Sequence, residues 1–146
     1  MPKSQWLSQS FEKVLRDLLS WFRHTRTKGL IIGGVATAFL GYPRFTEDID
    51  AVVLIPPDQW EPFLLSGKKF GFVSRISDPI SFAKQSRMLL LKHKNASIEA
   101  DISLGVLPFE EDCFKRKNVV KIKNLSVPLP TLEDLIIMKA VAHRPQ

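Results

Sequence analysis

Ile31-Ile32-Gly33-Gly34-Val35-Ala36, continued by Arg44-Phe45-Thr46-Glu47-Asp48-Ile49-Asp50, is the stretch on which the reading of this chain turns. Leu30-Ile31-Ile32 is a short apolar run, too brief for a helix and rich in β-branched side chains, so it reads as a buried strand that stops at the paired glycines. Residues 35–40 then read as a short helix closed by Gly41, with Pro43 just beyond, where a helix cannot continue. A strand that runs into two glycines and then a helix leaves backbone N–H groups free at the helix N-terminus, with no side chain to block a phosphate. Taken alone, a Gly-Gly pair is more often only a tight turn.

Asp48 and Asp50 change that weighting. Residues two apart in a strand point to one face, with Cα atoms about 6–7 Å apart, so both carboxylates can converge on a shared cation. Hard oxygen ligands suit Mg²⁺ or Mn²⁺, and two such ions about 3.5–4 Å apart stabilise both the attacking and the leaving oxygen of a phosphoryl displacement. A solvated Asp-x-Asp at a strand edge is the bland alternative. Here the strand continues as Ala51-Val52-Val53-Leu54-Ile55, which reads as buried, so carboxylates at its entrance need a compensating partner. A third carboxylate is expected from a neighbouring strand, and Ser97-Ile98-Glu99-Ala100-Asp101-Ile102 offers two. Ile98, Ala100 and Ile102 share one face, Glu99 and Asp101 the other. Asp101 is favoured, because a short carboxylate between β-branched neighbours is the less expected occupant of a buried strand; Glu99 stays as the alternative, and a solvent-facing side of an edge strand would explain both.

Outward from this centre, Phe11, Val14, Leu15, Leu18, Leu19 and Phe22 recur at helical steps and predict an amphipathic N-terminal helix. A basic run, Arg23 to Lys28, follows it. Pro56-Pro57 ends the Asp-x-Asp strand and starts a helix to about Leu65. Short strands are expected at 72–73, 88–92, 98–104, 119–122 and 126–129, with Asp78-Pro79 capping a further short helix. Thr131-Leu132-Glu133-Asp134 has the form of a helix N-terminus before the stripe Leu135, Ile136, Met138, Val141 and Ala142. The expected fold class is α+β, a single layer built on a mixed β-sheet flanked by helices.

The order strand, Gly-Gly, helix, Asp-x-Asp strand and later lone Asp resembles the DNA polymerase beta superfamily of nucleotidyltransferases. Gly33-Gly34-Val35-Ala36 with Arg44-x-Thr46-x-Asp48-Ile49-Asp50 is most similar to the minimal nucleotidyltransferases and to the nucleotidyltransferase toxins of abortive-infection systems. The thirteen residues between Gly34 and Asp48 fall at the long end of that family's spacing. Pro130-Thr131-Leu132-Glu133-Asp134-Leu135-Ile136 with Lys139 and Ala142 is similar to the helix that follows the catalytic sheet in those toxins. The resemblance implies the nucleotidyltransferase fold, a nucleotide triphosphate as substrate, and transfer of its nucleoside monophosphate to an acceptor hydroxyl or phosphate. It implies that Gly33 and Gly34 hold the triphosphate, that Asp48, Asp50 and Asp101 bind metal and carry catalysis, and that Lys139 reaches a phosphate. Arg44 and Thr46 join the nucleotide-binding set, although fixing their loop is an equally good role for either. Many relatives have serine where Gly34 stands. Toxin relatives also continue beyond the Lys139 helix, so residues 1–146 are expected to form one nucleotidyltransferase domain with the C-terminal part of the family pattern missing.

The bulk properties agree with this without demanding it. With 146 residues, 45% hydrophobic, the chain supports one core. A net charge of +6 suits polyanions such as triphosphates or RNA, as it does a plain solvated basic face. Neither a leader nor a membrane span is evident, and a cytoplasmic protein is expected. Cys113 is the only cysteine, which excludes an internal disulfide and a cysteine-cluster metal site and leaves a half-buried bystander as its usual role. His24, His93 and His143 lack metal-ligand spacing. Lys115-Arg116-Lys117 with Lys121 and Lys123 is more often a solvated face than an RNA track, and Trp6, Trp21 and Trp60 read as core. Acceptors consistent with the pattern are tRNA, a protein hydroxyl or a small molecule such as an aminoglycoside; an antitoxin is a further expected partner. The competing reading is an inactive nucleotide- or RNA-binding module of the same fold. A metal-dependent phosphohydrolase ranks lower, because the glycine turn precedes Asp-x-Asp at transferase-like spacing.

Overall fold

The N-terminal apolar repeat forms helix α1 (Gln9–His24), with the Ser8 hydroxyl accepting the Phe11 N–H at 3.0 Å as its cap. These features come from a computed structural model that describes residues 8–41, 48–105 and 108–142. After α1 follow β1 (Lys28–Ile32), α2 (Gly33–Phe39), β2 (Ile49–Leu54), α3 (Trp60–Gly67), β3 (Phe72–Ser74), α4 (Pro79–Ser86), β4 (Met88–His93), β5 (Glu99–Gly105), α5 (Pro108–Lys115), β6 (Asn118–Ile122), β7 (Leu125–Leu129) and α6 (Leu132–Ala142). A one-turn 3₁₀ helix at Pro57–Gln59 leads into α3.

Five strands make a mixed sheet in the order β1-β2-β5-β4-β3. Only β2 and β5 are parallel; the other neighbours are antiparallel. Strand periodicity divides the sheet into two faces. Ile31, Ala51, Ile102 and Leu89 stand in one register row and belong to the main core, against the buried face of α1. Trp21 anchors that core: its ring stacks on Phe63 at 4.3 Å between centroids, and its Nε1 donates to the Ser66 hydroxyl at 2.9 Å. The opposite face carries Leu30 and Val52, covered by Cys113 with Phe109, Phe114 and Met138 packed around them. The aspartates lie on this second face.

Two elements depart from the sequence expectation. Helix α5 was not anticipated, because its acidic Glu110-Glu111-Asp112 and basic Lys115-Arg116-Lys117 break the apolar pattern and Cys113 is its one buried residue. The expected single layer is also divided: β6 and β7 form a separate two-stranded hairpin. Ile122, Leu125, Val127 and Leu129 join it to the main core, and β7 lies against β1. Val119 on β6 is exposed, so this hairpin has one dry side only.

Trp21 and Trp60 are buried as expected; Trp6 and His143 lie outside the described residues. His93 is buried and satisfied, with Nε2 at 2.8 Å from Asp17 Oδ2 and Nδ1 accepting the Asn95 N–H at 3.3 Å. Cys113 is fully buried rather than half-buried, and burial pushes its thiol up to about 11. At pH 8 a disulfide reagent is expected to modify the folded chain at least ~100-fold more slowly than the denatured chain, because the thiolate fraction falls with each unit of raised pKa. Equal rates would show that this helix opens freely.

Candidate active site

The antiparallel pairing of β1 with β2 sets Ile32 opposite Asp50, so Asp50 stands level with the point where the chain leaves β1 and enters α2. Gly33 makes that turn at φ +69°, in the left-handed region. A methyl group at Gly33 would overlap Oδ2 of Asp50 and sit 3.0 Å from its Cβ and Cγ. Glycine is therefore needed there for conformation and for space. Thr37 Oγ1 donates to the Gly33 carbonyl at 2.9 Å and braces the turn from within α2. Ile32 occupies the cap position of α2 and supplies no side-chain cap. The first N–H groups of the helix are not taken by its cap residue.

Across the parallel pairing, Asp50 is in register with Asp101. Glu99 lies beyond this ladder, opposite Lys92 of β4. The sheet thus brings Asp101 rather than Glu99 beside Asp50. Asp48 precedes β2 and is exposed. Burial, and then the charges of Asp101 and Asp48, push the Asp50 carboxyl up to about 6. Burial also raises Asp101; Arg75 opposes that shift, and Glu99 and Asp48 add to it. Among the described residues, no lysine, arginine or histidine forms an ion pair with Asp50.

Arg75 was missed by sequence reasoning. It lies between β3 and α4, in Ser74-Arg75-Ile76-Ser77, where neither periodicity nor motif singles it out. Its Nη1 is 3.0 Å from Glu99 Oε1, and its Nη2 pairs with Asp101 Oδ1. Among the described residues, no three Asp, Glu, His or Cys side chains gather closely enough to hold a metal as they stand. The three expected carboxylates divide instead. Asp48 and Asp50 have the donor chemistry for a divalent cation, hard oxygens with the Asp50 charge unmatched by an ion pair among the described residues; Asp101 already has an arginine on it.

A cavity of about 550 Å³ opens beside the glycine turn. Ile32, Gly33, Gly34, Thr37 and Asp50 line one part of it, and Met88, Ser103, Leu135, Met138 and Lys139 the remainder. Lys139 on α6 is therefore brought to the same space as Asp50 although 89 positions separate them in the chain (139 − 50). Thr37, Met88 and Ser103 had no sequence signal for this role. Arg44 and Thr46 lie outside the described residues. Of the basic run near α5, Arg116 is engaged by both Asp134 oxygens at 2.9 Å and Lys123 by Glu12 at 2.9 Å. Those two cations are held within the molecule.

No protein-family model matches the sequence, and no curated protein matches it significantly. Solved structures do match. The lincosamide antibiotic adenylyltransferase LnuA, lincomycin-bound, aligns over 96% of this chain and 90% of its own at a TM-score of 0.64 and 14% identity. TM1012 from Thermotoga maritima, described as a candidate nucleotidyltransferase, aligns over 93% and 86% at 0.61 and 15% identity. The antibiotic-resistance factor ANT(2'')-Ia aligns over 94% and 76% at 0.59 and 13% identity. At such identities the likeness speaks for the fold, and the whole described chain, not an isolated motif, carries it: this protein has the nucleotidyltransferase fold.

Proposed function

We propose that the chain is an enzyme that transfers a nucleoside monophosphate from a nucleotide triphosphate to an acceptor hydroxyl, with Mg²⁺ or Mn²⁺. The observation that carries this reading is the Asp50 carboxylate packed against Gly33 at the strand-to-helix turn, with Asp101 in register beside it. The acceptor oxygen forms a bond to the α-phosphorus, the bond to the bridging oxygen breaks, and pyrophosphate leaves. Chemistry of this kind needs positioning and charge neutralisation more than a covalent protein nucleophile. Held by Asp48 and Asp50, a divalent cation would screen the triphosphate charge. Gly33 and Gly34 let the phosphates approach the backbone, and Lys139 meets a phosphate from α6. Asp101 receives the hydroxyl proton. Met88, Leu135 and Met138 supply an apolar wall that limits water in the cavity.

A small hydroxylated molecule is the favoured acceptor, supported by the names of two neighbours of the same fold, LnuA as a lincosamide antibiotic adenylyltransferase and ANT(2'')-Ia as an antibiotic-resistance factor. A tRNA or a protein hydroxyl is the competing acceptor, and an antitoxin partner goes with those cases. The test is pyrophosphate release and label transfer from each of the four nucleotide triphosphates with Mg²⁺, offered a lincosamide, an aminoglycoside, tRNA or bulk protein. Asp50→Asn is expected to lower turnover about 10³-fold or more. Unchanged turnover in that variant would overturn the assignment.

The arginine on Asp101 is the one observation that favours a second reading, a nucleotide- or RNA-binding module without turnover. That reading predicts nucleotide binding which survives Asp50→Asn, with no transfer to any acceptor.

A further inference from the structure

Arg75 is anchored independently of the carboxylate it pairs with. Its backbone N–H donates to the Leu90 carbonyl at 2.8 Å and its Nε to the Leu91 carbonyl at 3.0 Å, so β4 holds both the backbone of Arg75 and the base of its guanidinium. Nη1 reaches Glu99 Oε1 at 3.0 Å, leaving Nη2 for Asp101 Oδ1. Removing Asp101 would leave three of these four contacts in place. The Arg75 side chain is 24% and the Asp101 side chain 35% exposed, so the pair is more shielded than an ordinary surface salt bridge. Leu90 is also the register partner of Asp101, which fixes where along β5 the guanidinium arrives. The result is a row across the sheet of Arg75, Asp101, Asp50 and Gly33.

A carboxylate oxygen committed to a rigid guanidinium is a poorer ligand for a cation on its other side, because the two positive charges repel and compete for the same electron density. We propose that Arg75 is a positioning residue that latches Asp101, so that a divalent cation held by Asp48 and Asp50 gains its third carboxylate only by displacing this guanidinium from Asp101 Oδ1. The latch rests on the reading of Asp48 and Asp50 given above as cation ligands. It accounts for the failure of three carboxylates to gather among the described residues while the sheet still brings Asp101 next to Asp50. Arg75 is thus a determinant of metal affinity that does not itself touch the metal.

The experiment is Mn²⁺ binding to the full chain without nucleotide, followed by electron paramagnetic resonance, in wild type, Arg75→Gln, Asp101→Asn and the double variant. Removing a positive charge tightens cation binding somewhat in any background, so the informative quantity is the difference between backgrounds. Arg75→Gln is expected to tighten Mn²⁺ binding about tenfold where Asp101 is intact, and no more than about twofold in the Asp101→Asn background. An equal gain in both backgrounds, or no gain, overturns the latch. If Arg75→Gln does not fold, Arg75→Lys, which keeps the charge and loses the fork, is read through the same cycle with a gain of about threefold. Because nucleotide is absent, this outcome is separate from the transfer assay. An Asp101-dependent gain without any transfer would keep the latch and end the transferase reading.

Discussion

Asp50→Asn is expected to make the folded chain more stable at pH 8 while the proposed nucleotide transfer is lost. Burial and the neighbouring carboxylates raise Asp50 from 3.8 to about 6. For a carboxyl whose folded pKa is raised, the stabilising contribution of its protonated form is complete below the unfolded value. It is lost as pH rises through the window from 3.8 to about 6, where the folded chain keeps a proton that the unfolded chain has released. Above that window the native state carries a half-buried charge with no ion-pair partner among the described residues. A shift of this size corresponds to about 3 kcal/mol at most, and the partial exposure of Asp50 reduces it to on the order of 1–2 kcal/mol. Asparagine keeps the shape and removes the charge. Urea unfolding should therefore show Asp50→Asn more stable than wild type by that amount at pH 8, with the difference nearly gone at about pH 4. Mg²⁺ should raise the midpoint of the wild type and leave that of the variant almost unchanged, since a ligand that binds only the native state stabilises it by mass action. A variant less stable than wild type at pH 8 would mean that Asp50 has a compensating partner, and the active-site reading would lose its electrostatic basis. Stability given up at one carboxylate for the sake of chemistry is the trade expected of a catalytic residue.

Gly33→Ala should produce the next largest effect, on stability and turnover together. At φ +69° an alanine sits in the left-handed region, which costs about 1–2 kcal/mol for an L-residue. Its methyl group also overlaps Asp50 Oδ2, so either the carboxylate or the turn must move. The expected loss is about 1–3 kcal/mol of stability, and about 100-fold or more in turnover if the carboxylate yields by an ångström. Gly34 is outside the left-handed region, and the same substitution there escapes the conformational part of the cost. In a double-variant cycle with Asp50→Ala, which removes the carboxylate that the methyl group meets, the steric part should couple the two positions and the conformational part should not. Wild-type stability and turnover in Gly33→Ala would show that the carboxylate does not rest on this glycine.

How much of this was present in the chain itself follows from the range of the interactions. The strand before Gly33-Gly34, the Asp48-x-Asp50 pair, and the face shared by Ile98, Ala100 and Ile102 are all local, set by backbone periods of two residues and by steric limits at glycine, and each was readable without coordinates. Helix α5 escaped because its packing rests on Cys113 and the flanking Phe109 and Phe114, with charged residues filling the remaining positions. The residues favoured Asp101 over Glu99 and kept Glu99 as the alternative; the parallel register of β2 on β5 is what sets Asp101 opposite Asp50, and that register depends on how Ile49, Ala51, Ala100 and Ile102 pack beneath α1. Arg75 is 26 residues from Asp101 in sequence, and only the sheet order brings its guanidinium across β4. The placement of Lys139 on the cavity that Asp50 lines likewise waits on the docking of α6. Short-range geometry therefore determined which side chains could do chemistry, while the partners that set their charge and reach came from strands and helices brought together by burial of the core, a long-range effect that no local pattern encodes.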